Sequence, residues 1–581
     1  MGLISELRRR NVFRMAVLYT LAAWLLMQIA EVVITLAALP IWTGQATLVL
    51  LMVGFPIALI FSWFYEITPE GLALEKDVPR HESITHVTGR RIDFIVIALL
   101  CAAVMMFAVD KWWVGGPTTL SIAVLPFKNM STDPEQEYFS DGISEEILDQ
   151  LAKIPELQVI SRTSSFSYKG KRIDISDVAS ELNVAHILEG SVRKDGNRVR
   201  ITAQLIEAHS DTHLWSETYD RTLDDIFAVQ NDIAIAVADS LKLAILGQTR
   251  RSPITNPDSY ALYLQGRFLN NLGSLDGLEK AVIVLRESLV ADPSYSPAWL
   301  ELAKSYERLI TRRAMPLADA RALSFDAVER ALRLSPESGV AHNAMAWMQY
   351  RYKNDLESAA VHFQRAMELD PTNTDIVGNV SMFLNALGRS EESIRFGEYQ
   401  VSRDPANATA HNNLGIRYRN NRQFVKAEQA FSTTLMLNPA FGGAYYELGA
   451  SRLERGDYAG AVRAFESETI EVFSKIGLAM TTYARGDLAL SNELLNELIQ
   501  TYGDRIAYYI AQILALRSDA DDAFQWLDKA KRLGDRELSV VMNEPLFANL
   551  HNDARWYPFL ESVGKSPNQL AAIKFDVFLL E

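Results

Sequence analysis

The sequence predicts a multidomain membrane protein made of three transmembrane helices, a mixed α/β domain and an all-α repeat solenoid. Three observations carry that prediction: long uncharged runs confined to the first 111 residues, alternating strand and helix patterns between 117 and 247, and a repeat near 34 residues from about 257 onward. A chain of 581 residues also asks for several packed cores, because single hydrophobic cores stop growing well below that size.

The apolar runs are MAVLYTLAAWLLMQIA (15–30, continuing to about 37), ATLVLLMVGFPIALIFSWFY (46–65) and FIVIALLCAAVMMFAV (94–109, within about 93–111). Each approaches the roughly 20 apolar residues that a bilayer-spanning helix needs. Two more runs follow the first and no small-residue cleavage pattern ends it, so it reads as a retained span and not as a signal peptide. Arg8, Arg9, Arg10 and Arg14 precede the first run, and Lys76, Arg80, Arg90 and Arg91 lie between the second and third. Basic flanks stay inside, which predicts a cytoplasmic N-terminus and export of the residues from about 112 onward; that exported part, without disulfides, fits a bacterial periplasm and an inner-membrane anchor.

Residues 1–116 hold nine basic and nine acidic residues, so the net charge of −15 belongs to the remainder. An acidic body without a basic stripe argues against nucleic acid as a partner, since phosphate neutralisation needs clustered Lys and Arg. Cys101 is the only cysteine, which excludes an intramolecular disulfide and a cysteine metal site.

After the breaker-rich GGPTT (115–119), LSIAVLPF (120–127) and LQVIS (157–161) read as strands, and ISDVASELN (175–183) as a capped helix. HILEGSVRKDGNRVRITAQLIEA (186–208) reads as a hairpin around Asp195 and Gly196, THLWSETYD (212–220) as a further strand, and 223–246 as a long amphipathic helix. The expected division is 1–116 anchor, 117–247 α/β domain, 248–543 repeat solenoid and 544–581 cap and tail.

The cleanest repeat places His411, Leu414, Gly415, Tyr418, Ala427, Phe431 and Pro439 at tetratricopeptide spacing, and Tyr445, Leu448, Gly449, Ala461 and Phe465 repeat it. Pro371, Pro405 and Pro439 stand 34 apart. Small residues at such positions let two antiparallel helices approach, and stacking of pairs buries what one pair leaves open.

Two segments carry a family resemblance: SIAVLPFKNMSTDPEQEYFSDGISEEILDQLAKIPELQVISRTSSFSYKGK and ILEGSVRKDGNRVRITAQLIEAHSDTHLW. Together they resemble the bacterial TolB N-terminal/FlgO-like domain, related in fold to CsgG-type domains. The N-terminal LISELRRRNVFRMAVLY and FPIALIFSWFYEITPEGL resemble the membrane anchor found ahead of such a domain and a tetratricopeptide array. The resemblance implies an assembly or scaffolding module and no reaction.

The stretch QEYFSDGISEEILDQLAKI (136–154) concentrates Glu137, Asp141, Glu145, Glu146 and Asp149. Ile143, Ile147, Leu151 and Ile154 share one helical face, Asp141 suits an N-cap, and Glu145, Glu146 and Asp149 fall on a solvated side. A calcium loop would want alternating oxygen ligands, and only Asp141 with Gly142 fits. RTSSFSYKGK (162–171) reads as a polar loop, and a turn at Ser210 and Asp211 separates His209 from His213. No nucleophile-elbow, zinc-protease or dinucleotide signature occurs.

These readings predict no enzyme, no cofactor and no metal. The expected function is an inner-membrane-anchored periplasmic scaffold binding protein partners or peptides, in envelope assembly or signalling, with oligomerisation left open. The alternative is a transmembrane sensor that signals to a cytoplasmic cyclase or transcription regulator. Expected partner contacts are Asn412, Ile416, Arg419 and Tyr446 in the repeat groove, with Tyr138, Phe139 and Asp141 as a second patch.

Overall fold

The computed structural model describes residues 120–154, 156–171, 174–241, 255–312 and 314–579, together with some residues between 15 and 74. It forms two compact units, Met1–Gly116 and Pro117–Glu581. In the first unit, the Tyr19 hydroxyl donates to the Leu51 carbonyl at 2.8 Å and its ring meets Phe55 edge-on. Strands β1 (Tyr65–Thr68) and β2 (Gly71–Leu74) pair antiparallel.

The membrane-protein expectation is overturned here. Among the described residues no helix is long and apolar enough to cross a membrane. A strand pair begins at Tyr65, where the second run ends. The inner-membrane location, the cytoplasmic N-terminus and the periplasmic placement from about 112 rested on those spans and fall with them. The third expected span, 93–111, lies outside the described residues.

In the second unit, β3 (Ser121–Val124) is buried along its whole length, as befits an apolar strand covered on both faces. It pairs in parallel with β5 (Gln158–Val159) on one side and β6 (His186–Asp195) on the other, and β4 (Lys128–Asn129) continues along β6. Antiparallel β7 (Arg198–Glu207) and β8 (Thr212–Thr222) complete the sheet. The β6–β7 turn lies one residue beyond the expected pair, at Gly196 and Asn197, with Gly196 at φ +56°.

Helices α1 (Glu137–Leu151), α2 (Arg162–Phe166), α3 (Ile175–Leu182) and α4 (Ile226–Ser240) surround this sheet. Ile143, Ile147 and Leu151 of α1 and Ile233 and Val237 of α4 pack with Val124, Leu188 and Ile201. Val178 and Leu182 of α3 join Ala123, Ile160 and Ile187 in a separate core. Strand residues alternate between faces, so the sheet is covered on both sides.

The helical part runs in antiparallel pairs: α5 (Pro257–Leu272) with α6 (Leu275–Ala291), α7 (Ser296–Arg312) with α8 (Leu317–Leu334), α9 (Gly339–Met348) with α10 (Leu356–Leu369), and α11 (Thr374–Ala386) with α12 (Ser390–Arg403). It continues through α13 (Ala408–Asn420) with α14 (Phe424–Leu437), α15 (Ala444–Glu454) with α16 (Tyr458–Ser467), α17 (Glu471–Ala484) with α18 (Leu488–Tyr502), and α19 (Ala507–Leu516) with α20 (Ala520–Leu533). Side chains of Asn256, Ser338, Asn373, Asn407, Asp457 and Asp487 cap helix starts. At Gly415 a Cβ would lie 2.5 Å from the buried Phe431 ring, so glycine there sets how closely α13 approaches α14.

Two 3₁₀ segments, Arg536–Asn543 and Pro545–Leu550, follow α20, then α21 (Trp556–Ser562) and α22 (Pro567–Ala571). This C-terminal stretch folds back on the middle pairs. Asn354 donates to the Val563 carbonyl, Asn543 to the Asn385 carbonyl and Arg389 to the Phe575 carbonyl. Phe575 packs edge-on against Phe383 at 5.1 Å.

Candidate functional site: a cleft between the α/β part and the repeats

Helix α1 begins at Glu137, four residues before the expected cap, so Asp141 lies inside it and does not cap it. Asp141 is buried and receives the Lys169 ammonium at 2.6 Å. Burial raises its carboxyl above the ordinary value, against the pull of Lys169. The expected polar loop 162–171 instead opens with α2, and Lys169 follows it. Gly142 serves helix packing, since a Cβ there would sit 2.6 Å from Leu264 of α5. Phe139 is fully buried in the α/β core, with Tyr138 packed against it.

The carboxylates expected on a solvated side are mostly buried. Glu145 and Glu146 are 2% and 9% exposed, and both meet Arg267 of α5. Arg267 Nε binds Glu145, Nη1 donates to Glu146 at 2.8 Å, and Nη2 donates to the more exposed Asp149 at 3.1 Å. Arg162 holds the other oxygen of Glu145. The apolar face and the charged face of α1 are therefore both covered, one by the sheet and the other by the first helical pair. Three carboxylates share one guanidinium here, and burial pushes the Glu146 carboxyl up to about 7.

The α/β part reaches further along the array. Thr372 donates to the Ala152 carbonyl at 3.1 Å, Gln158 to the Ser402 carbonyl at 2.9 Å, and Arg403 to the Leu157 carbonyl at 3.1 Å. Ser164 donates to Asp404 at 2.6 Å, with both residues buried. It thus bridges the first pair to the end of the fourth.

Beneath this bridge lies a cleft of ≈ 1160 Å³. One wall is α1 with Ala152, Lys153, Ile154 and Glu156 beyond it; the floor comes from the first helices of successive pairs, α7, α9, α11 and α13. Glu301, Lys304 and Glu307 come from α7, Asn343 and Trp347 from α9, Asp375 and Asn379 from α11, and Asn413 from α13. Glu301 accepts from Asn270 and pairs with Lys304, which hold its carboxyl below the ordinary value despite burial. Glu307 has weaker compensation, and burial pushes it up to about 7.

The groove residues expected from the repeat pattern lie apart from this cleft. Asn412 is half-buried, with an Oδ1 that has no hydrogen-bond partner among the described residues, and its neighbour Asn413 lines the cleft instead. Ile416 packs beside Leu414 and Phe431. Tyr446 is buried among Phe465, Phe473 and Tyr509. Arg419 is buried in a second ionic centre, binding Glu447 at 3.1 Å, Glu454 at 2.9 Å and Glu544 of the C-terminal stretch at 2.7 Å. Burial raises Glu447 to about 7 and Glu454 to about 8.

Of the positions expected from the repeat pattern, none lines the cleft. Asn379 and Asn413 recur one repeat apart, a signal that was available; Arg267, Glu307 and Asp375 carry none, because their surroundings are set by distant parts of the chain.

These buried carboxylates predict a pH dependence. Folded values near 7 to 8 lie above the ordinary 4.5 of glutamate, so the folded chain holds more protons than the unfolded chain in between. The associated stability is complete below about pH 4.5 and is lost as pH rises through 7 to 8. The urea midpoint is expected to fall between pH 5 and 8.5, and Glu454→Gln should flatten that fall. A midpoint that rises over this range contradicts the assignment.

Residues 118–235 match the family model described as HilA/YgeH-like transcriptional regulator, second domain. A 192-residue stretch, 32% of this chain, is 44% identical to "Putative adenylate cyclase 3" of Rhizobium meliloti (strain 1021) and covers 32% of that protein. The chain thus spans about a third of the length of this relative. Among solved structures, PilW, a type IV pilus biogenesis factor, is 21% identical over 38% of this chain and 98% of its own, with a TM-score of 0.33. A tetratricopeptide repeat protein from Parabacteroides merdae is 17% identical over 43% of this chain and 98% of its own, with a TM-score of 0.32. Stacked helical pairs, small residues at their close approaches and the 34-residue recurrence decide the fold of the helical part. It is a tetratricopeptide-like array.

Proposed function

We propose that Pro117–Glu581 is a non-catalytic interaction module of a signalling protein, in which a partner segment is read in the cleft between the α/β part and the tetratricopeptide-like array. The observation that carries this reading is the composite cleft itself: four successive first helices form its floor, and α1 closes over it through Arg267. Arrays of this kind bind extended segments along their inner face. The α/β part then acts as a fixed second wall. Its resemblance to TolB N-terminal/FlgO-like domains agrees with a scaffolding role.

Photocrosslinking tests the reading. A photoreactive residue in place of Asn379 is expected to capture a partner polypeptide, whereas one in place of the exposed Val290 on α6 should not. Equal capture at both positions would overturn it. A second reading draws on the 44% identity to the cyclase-named relative: the module regulates a separately encoded nucleotide cyclase. Purified chain would then change the activity of that cyclase when added in trans, and unchanged activity would dismiss this version.

A further inference from the structure

The charge of the cleft is one-sided. Apart from the carboxylates gathered on Arg267, its lining includes Glu156, Glu301, Glu307, Glu337, Asp370 and Asp375, against only Lys153 and Lys304. Both lysines are engaged: Lys304 with Glu301 at 3.2 Å, and Lys153 with the Gln150 amide oxygen at 3.1 Å. Glu337 is met by Arg365 at 2.6 Å. Among the described residues no cation lies within salt-bridge distance of Glu307 or Asp375, and Lys304 acts on both only from further away. Asp375 is solvent-accessible within the cleft yet hemmed in by protein, and that enclosure raises its carboxyl above the ordinary value.

The rest of the lining suits a polypeptide. Asn343, Asn379 and Asn413 carry amides on three successive first helices, Asn379 donating to the Asn343 amide oxygen at 3.2 Å, which leaves the Asn343 amino group and the Asn379 oxygen toward the cleft side of the pair, and Leu300, Val340 and Trp347 supply apolar surface beside them. A volume of ≈ 1160 Å³ exceeds what a single ion or small metabolite fills. Side-chain amides can pair with a main chain of any sequence, whereas unneutralised carboxylates favour cations and repel anions.

We propose that the cleft takes an extended peptide segment bearing lysine or arginine side chains, whose cationic groups pair with Glu307 and Asp375 while its main chain lies along the asparagine amides. This inference rests on the reading of the cleft as the partner site and adds the chemistry of the partner. Opposite charge at a partly enclosed cleft gives fast, salt-sensitive association and excludes acidic segments.

The test uses the full chain and three fluorescent peptides of one length: one carrying Lys and Arg, one carrying Gln at those positions, and one carrying Glu. The basic peptide is expected to bind at least about tenfold tighter than the neutral one, with affinity falling as salt rises. Asp375→Asn and Glu307→Gln should each weaken it by about threefold to tenfold, whereas Asp528→Asn on α20 should not. Removing a charge that burial already penalises leaves the fold intact, and unchanged thermal melting verifies this. Equal binding of all three peptides, with protection of the cleft in hydrogen exchange, would overturn the charge inference and keep the reading of the cleft. Binding of the basic peptide that ignores both substitutions, or that spermidine matches, overturns the inference. No protection of the cleft by any peptide overturns both.

Discussion

Arg267→Met is expected to destabilise the Pro117–Glu581 unit by about 3–5 kcal/mol, the usual cost of removing one partner from a buried charge network. Arg267 is the only cation that contacts Glu146 within salt-bridge distance among the described residues, and it shares Glu145 with Arg162. Without it, Glu146 must take up a proton or draw in water, and the Tyr263 hydroxyl loses its donor at 3.1 Å. The damage falls on the seam that α1 and α4 form with α5, because Gly142 of α1 packs against Leu264 there and Phe227 of α4 against Tyr260. Denaturation followed by tryptophan fluorescence should show a lower midpoint, with Trp215 in the α/β part and Trp299 in the array as reporters. Adding Glu145→Gln and Glu146→Gln to the variant should restore part of the loss, since the two buried carboxylates are then no longer charged. A loss below about 1 kcal/mol would mean that the network is solvated and adds little.

Arg419→Met is expected to cost a similar amount, about 3–5 kcal/mol, with a different consequence. Its three carboxylate partners come from two parts of the chain: Glu447 and Glu454 from α15, and Glu544 from the C-terminal stretch. Glu544 also accepts from the Leu546 amide at the start of a 3₁₀ segment, so its displacement loosens that turn. The C-terminal stretch carries a further penalty in Lys565, a buried amine with no hydrogen-bond partner among the described residues, whose pKa burial lowers to about 8. Losing Arg419 should therefore release residues 536–579 before the array unfolds, and limited proteolysis should cut there first. Arg419→Lys should not rescue, because one ammonium cannot reproduce the three-way geometry of a planar guanidinium. Wild-type resistance to proteolysis in Arg419→Met would contradict this role.

What the sequence made legible was local. The 34-residue recurrence led to the helical pairs because packing at Gly415 and Phe431 depends on neighbours within one repeat. The strands, the β6–β7 hairpin and the turn at Asp211, which has φ +49°, follow from short-range patterns in the same way. The apolar runs misled because hydropathy measures transfer energy alone, whereas among the described residues no helix is long and apolar enough to cross a membrane. The carboxylates of α1 misled for another reason. A helix with one apolar stripe reads as half solvated, and nothing nearby in the chain shows that Arg267, some 120 residues on, covers the other half. The cleft was invisible for the same reason, since its walls lie far apart in the chain.

The central claim is that the α/β part is docked across the array as one unit, and a double-mutant cycle between Ser164 and Asp404 tests it most directly. These residues belong to different parts, lie far from Arg267 in sequence, and share a buried hydrogen bond of 2.6 Å. Ser164→Ala, Asp404→Asn and the double variant should give a coupling of at least about 1 kcal/mol in chemical denaturation, as expected for a buried hydrogen bond to a charged group. Additivity within about 0.3 kcal/mol would show that the two parts do not meet in solution, and the composite cleft would fall with it.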